Sequence, residues 1–170
     1  ILKEKERSKE VFIRHFKGKY NTTDLPIWTV VEIISFGSLS KLFMILQEKE
    51  QNEVISCMGG INKVVFFKWF KALSSVRNAC AHHSRLWNKT LGVSFEVPRN
   101  NEVFKDLENS KNKIFFALSV IEYILTCIGE DEIEFKTKIE VLLKKYQQIN
   151  LEKMGFIENW ENNPIWSDNE

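Results

Sequence analysis

Apolar residues recur along this chain at helical spacing almost throughout, and hardly anywhere do they alternate as a strand requires. A first helix is expected over about residues 5–16, with Val11, Phe12 and Phe16 inward. Asn21-Thr22-Thr23-Asp24 reads as a loop, and Asp24 as the cap of a helix whose first turn holds Pro26. That second helix is expected over about residues 26–49. Ile27, Val30, Val31, Ile34, Leu42 and Ile45 form one stripe on it, and Phe36, Leu39, Phe43 and Leu46 another. A helix apolar over so much of its circumference belongs in the middle of a bundle. Gly37 and Ser38 are where it would kink or admit a neighbour, and Glu32 is the one acid on its N-terminal half.

Residues 52–58 predict a short helix stopped at Gly59-Gly60. A long helix follows from near Asn62, with Phe66, Trp69, Phe70, Leu73, Val76 and Cys80 along one face. Between residues 90 and 98, Val93, Phe95 and Val97 alternate, which fits a short extended segment or a loop. Val103, Leu107, Ile114, Ala117, Ile121, Leu125 and Ile128 predict one long helix over about residues 102–128, ended by Gly129. Residues 132–149 predict another, with Phe135, Ile139, Leu142, Leu143, Tyr146 and Ile149 inward. The tail carries Phe156, Trp160 and Trp166 without periodicity, as an irregular segment pinned by its aromatic rings would. The expectation is an all-α bundle over residues 1–152, with the tail of residues 153–170 packed on it as part of one domain. Trp69, Leu73, Ile114, Ile121 and Leu142 are the expected core.

A chain of 170 residues can bury a core of this kind without crosslinks. Its formal net charge of +1 sets up no global basic field, so a nucleic-acid surface would have to be a local patch or arise by pairing two chains. Cys57, Cys80 and Cys127 each lie in an apolar or helical pattern and read as buried free thiols of a reducing compartment. No apolar run reaches the length of a membrane span and no secretory signal is present, so the expected location is the cytoplasm, away from any membrane.

The run from Arg77 to Asn88 changes the picture most. It places Arg77, Asn78, His82, His83 and Arg85 within one short stretch at the end of the long apolar helix. Asn78 and His82 are four apart and share a helical face, Arg77 lies beside them, and Arg85 would flank the same surface. Arg binds phosphate with a permanent charge and a planar fork of donors. His exchanges protons near neutrality. Cleavage of RNA by its own 2′-hydroxyl needs a base, an acid and positive charge on the developing phosphorane. One copy of the run supplies one or two imidazoles, so two copies facing each other across a dimer axis would complete the set. A polar helix end with an incidental His pair is the plainer reading of the same residues. Zinc binding by Cys80, His82 and His83 is disfavoured, because adjacent histidines on a helix point about 100° apart. His15 reads as a bystander.

The spacing of Arg77 and His82 resembles the Arg-x4–6-His signature of the HEPN superfamily. The whole run Arg77-Asn78-Ala79-Cys80-Ala81-His82-His83-Ser84-Arg85-Leu86-Trp87-Asn88 resembles the hallmark of the Abi-like, abortive-infection proteins of bacteria. Pro26-Ile27-Trp28, Glu32 and Ser35-Phe36-Gly37-Ser38-Leu39-Ser40 resemble that family's upstream helix, and Met154-Gly155-Phe156, Trp160 and Pro164-Ile165-Trp166 its closing segment. Ile157 stands where the family often has Pro. The resemblance implies a dimeric HEPN-type helical bundle that cleaves RNA without a metal or other cofactor in defence against phage. It implies catalytic roles for Arg77, Asn78 and His82, with Glu32, His83 and Arg85 in support and Glu32 orienting Arg77 or His82. A neutralising partner or an RNA antitoxin would accompany such an effector. Family members carry a further N-terminal helical segment, so one is expected ahead of Ile1. The alternative implied is a non-catalytic HEPN-fold module that binds RNA, nucleotide or a regulatory partner.

Overall fold

The computed structural model describes residues 6–22, 24–129 and 132–167, with side chains left out at 132 and 133. It is all-α: among the described residues every regular element is helical. Contacts divide the chain into two compact units, one through Ile45 and one from Leu46.

The first unit holds α1 (Val11–Tyr20), α2 (Ile27–Ile33) and α3 (Phe36–Ile45). The helix expected over about residues 5–16 is interrupted at residues 8–10: Glu6 and Arg7 are helical, α1 begins at Val11, and residue 5 lies outside the described residues. Its frame is also rotated, since Ile13 is its buried residue while Val11 is 71% exposed. Pro26 rather than Asp24 stands at the cap of α2, with φ −55° and ψ 150°. The single long helix expected from Pro26 is broken at Ile34, which turns to ψ 147°. Ser35 causes the break. Its hydroxyl accepts the Ser38 N–H at 3.1 Å and its carbonyl the Leu39 N–H at 2.9 Å, so it caps a new helix. Gly37 and Ser38, the expected kink, sit in the first turn after it. Ile27, Trp28, Val31 and Glu32 form an exposed face of α2.

The second unit runs α4 (Glu48–Ser56), α5 (Lys63–Ala81), a loop, a 3-10 segment (Glu102–Ser110), α6 (Ile114–Ile128) and α7 (Glu132–Lys145), then the tail. Its centre is aromatic. The Trp69 ring of α5 lies 5.0 Å from Phe104 and 6.0 Å from Tyr123, and Phe104 lies 5.7 Å from Phe116. Phe95 of the loop joins at 5.4 Å from Phe116. The Trp69 indole N–H, buried with its ring, donates to the Glu96 carbonyl at 2.7 Å. Residues 90–98 form the loop alternative, with Phe95 as its anchor.

One long helix over 102–128 does not form. The carbonyls of Lys111 and Asn112 accept the N–H groups of Phe95 and Leu91, at 2.7 and 2.8 Å. A continuous helix would consume those carbonyls internally. The chain turns instead, and α6 starts at Ile114, buried from Ile114 through Ala117. Phe116 faces the central cluster, and its neighbour Phe115 takes up the tail. Phe156, Trp160 and Trp166 lie 4.2, 6.0 and 5.8 Å from Phe115. The Trp166 indole N–H donates to Ser119 Oγ at 2.9 Å. Gly155 allows the tail to approach: its φ is 90°, its carbonyl accepts the Ser110 hydroxyl, and a Cβ there would overlap Lys113.

Of the expected core, Trp69, Leu73 and Ile114 are buried, Ile121 is half-buried and Leu142 is 52% exposed. On α7 it is Lys136 that is buried. Its ammonium reaches the buried Glu122 of α6 at 3.8 Å and the Ser167 carbonyl at 3.1 Å. The cysteines depart from the expected burial, since Cys57 and Cys80 are exposed and Cys127 is half-buried. Cys57 lies at the C-terminal cap of α4, where burial by the apolar pattern no longer applies.

The Tyr123 hydroxyl donates to the Met58 carbonyl at 3.3 Å and accepts from the Asn101 amide at 3.2 Å. Burial first, and then Cys127, push its pKa up from 10.0 to about 12. The tyrosinate is thus disfavoured in the folded chain. The stability this contributes is complete below pH 10 and is lost as pH rises towards 12. Tyr123→Phe is expected to cost about 1 kcal/mol at neutral pH. It should also flatten the alkaline fall in stability, read by urea titrations between pH 9 and pH 12.

Candidate functional site at the end of α5

Local chemistry explains where α5 begins. Asn62 takes an extended backbone, and its side chain accepts the Val64 N–H at 2.8 Å. Phe66, Trp69, Leu73 and Val76 then recur on one face, and all four are buried. Cys80 continues that face in sequence but is exposed. The helix has run past its aromatic cover, so Arg77, Asn78, Cys80, Ala81 and His82 all stand exposed on its last turn.

A Schellman turn ends the helix. His83 occupies the left-handed region at φ 52°, its N–H donates to the Cys80 carbonyl at 2.9 Å, and the Ser84 N–H donates to the Ala79 carbonyl at 2.8 Å. The His82 N–H donates to the Asn78 carbonyl at 3.0 Å. The end carbonyls are thus satisfied by backbone. Among the described residues the side chains of His82, His83 and Arg85 make no hydrogen bond or ion pair. The fold holds these groups by their backbone and leaves their polar atoms to solvent or a ligand.

Arg77 points about 100° round the helix from Asn78, yet its guanidinium donates to Asn78 Oδ1 at 3.3 Å. The long side chain bends towards the face that Asn78 shares with His82. Arg77, Asn78 and His82 therefore sit together at one exposed helix end. Arg85 does not keep its expected helical relation to them, because the helix stops at Ala81 and Arg85 lies beyond the turn. Glu32 is exposed on α2 of the first unit, so it carries no burial cost that a partner would have to offset. His15 is exposed on α1. Among the described residues no three His, Cys, Asp or Glu side chains assemble as a metal-ligand group, and Cys80, His82 and His83 are no exception. No helix of the described residues is long and apolar enough to cross a membrane.

The turn at His83 is hidden from spacing arguments. Helices that end this way usually have Gly at the left-handed position, and here the sequence offers none between Gly60 and Gly92. His83→Gly should therefore raise stability by up to about 1 kcal/mol by relieving the left-handed backbone. His83→Val should lower it by about 1–2 kcal/mol. Thermal and urea unfolding check both, and equal stability of the two variants would show that this turn does not exist in solution.

Comparison with known proteins gives the family. The family model described as Abi-like protein matches residues 1–88, more than half of the chain, and the match ends on Asn88, the last residue of the run that begins at Arg77. No curated protein and no solved structure matches. With its matched half reaching through α5 and its exposed polar end, this chain belongs to the Abi-like protein family.

Proposed function

We propose that this chain is a metal-independent endoribonuclease of the HEPN type, acting in abortive-infection defence. The observation that carries the reading is the exposed helix end on which Arg77, bent onto Asn78, stands beside an unengaged His82. Membership of the Abi-like family supports the defence role.

In the proposed reaction an imidazole takes the proton of the ribose 2′-hydroxyl, and the oxygen attacks the adjacent phosphorus. The bond from phosphorus to the 5′-oxygen breaks, and a second acid protonates that oxygen. The products are a 2′,3′-cyclic phosphate and a 5′-hydroxyl. Each chain offers one His82, so the base and the acid come from two copies whose helix ends face each other in a homodimer. Arg77 neutralises the phosphorane and Asn78 fixes the guanidinium. His83 serves through the turn it closes, and Arg85 adds positive charge beyond it. A protein partner or an antitoxin RNA would hold the activity in check.

The test is incubation with total RNA in EDTA, followed by detection of cyclic-phosphate ends. His82→Ala should lose about 10²–10⁴-fold in rate while folding normally, because the side chain is exposed. Arg77→Ala should fall comparably, and His83→Ala only in part. Cleavage by His82→Ala at the parental rate, with contaminating nuclease excluded, would remove the ribonuclease reading. A non-catalytic RNA- or nucleotide-binding module of the same fold would then take its place.

A further inference from the structure

The chain has 24 basic and 23 acidic residues, yet residues 54–95 contain no acid at all. They hold six bases: Lys63, Lys68, Lys71, Arg77, Arg85 and Lys89. A merely solvated helix face interleaves the two signs, as α7 does with its Lys138–Glu134 and Lys144–Glu140 pairs. The α5 face lacks that pattern. Lys68, Lys71, Ser75, Asn78 and the cap residue His82 fall at i, i+3, i+7, i+10 and i+14, a single file on the side away from Phe66, Trp69 and Leu73. All are exposed except Ser75, which is half-buried. Lys68 is occupied by Glu96 at 2.8 Å. Lys71 makes no ion pair among the described residues. It stands about 10 Å along the axis from Asn78 and about 16 Å from His82, farther than one nucleotide's contacts reach. Past the helix end, Trp87 keeps 40% of its surface exposed in the same acid-free stretch.

We propose that the RNA of the ribonuclease reading is bound single-stranded along this file, with Lys71 on a backbone phosphate remote from the cleaved one and Trp87 stacked on an unpaired base. The inference rests on that reading for its ligand. A single file of groups follows one strand, and stacking on an exposed indole requires a base that is not already paired. Lys71 is a positioning residue here: it fixes the register of the strand and touches no reacting atom.

Binding is measured by fluorescence anisotropy on the His82→Ala chain, so that the RNA survives, using an unpaired RNA of about 12 nucleotides. Lys71→Ala should weaken binding several-fold and reduce the slope of log affinity against log salt by about 0.7, the value for one single-strand phosphate contact. Trp87→Ala should weaken binding about tenfold with the slope unchanged, because stacking releases no counterion. Lys138→Ala should change neither quantity. On the cleaving parent, Lys71→Ala should lower kcat/KM for the long RNA and leave a dinucleotide unaffected. If both variants bind and cut as the parent does while His82→Ala is dead, the ribonuclease reading stands and this binding track is wrong. If the slopes change as stated but no cyclic ends form, the track stands and cleavage does not. A duplex of the same sequence bound as tightly as the single strand would overturn the single-strand assignment.

Discussion

The second unit depends on one buried contact set, the rings of Trp69, Phe104, Phe116 and Tyr123. They come from α5, the 3-10 segment and α6, so a single cluster fixes all three elements. Two of the four have polar atoms that burial would penalise, and both are satisfied: the indole of Trp69 by the Glu96 carbonyl, the hydroxyl of Tyr123 by Met58 and Asn101. These hydrogen bonds reach into the loops on either side of α5 and so hold the loops to the core. Aromatic packing supplies the area, and directional bonds set the register.

That cluster also determines what the last turn of α5 can do. Cover stops at Val76, and the next residue on the same face, Cys80, is exposed. The stretch from Arg77 to Arg85 is therefore anchored by the helix behind it and by the turn at His83, and only Ala79 in it is even half-buried. A rigid element presenting unengaged polar groups is a sound basis for positioning a ligand, because the geometry comes from the core and the side chains remain available.

Much of this was legible in the sequence. The helical class follows from periodicity, and the buried file Phe66, Trp69, Leu73 and Val76 follows from spacing. Of the breaks only a kink at Gly37 and Ser38 is legible, and their full form is not, because they arise from competition for backbone groups. Ser35 ends one helix by capping the next, and Lys111 and Asn112 lend their carbonyls to the 91–95 segment. On α7 the amphipathic pattern does not foresee that Leu142 is exposed or that Lys136 is buried against Glu122. Arg77, Asn78 and His82 could be placed on one helix end by spacing. The bend of Arg77 onto Asn78 and the left-handed His83 could not, because both depend on local geometry. The acid-free stretch, by contrast, was present in the charge pattern all along. It is easily overlooked because a net charge of +1 averages it away.

The separation between what folds the chain and what the helix end presents has a consequence for reading its variants. Changes at Trp69, Phe104 or Phe116 empty space in a packed core, and such losses run to about 3–5 kcal/mol, enough to unfold a marginal domain. Changes at Arg77, His82 or Lys71 touch exposed groups and should move stability by no more than about 0.5 kcal/mol. A loss of function in the first group therefore says nothing about chemistry. In the second group unfolding does not explain it, so the effect is assigned to what these exposed side chains do at the helix end. His83 lies between the two classes. Its backbone closes the helix while its imidazole is exposed, and only the contrast between His83→Gly, which keeps the turn, and His83→Ala, which strains it, separates a role for the ring from a role for the turn.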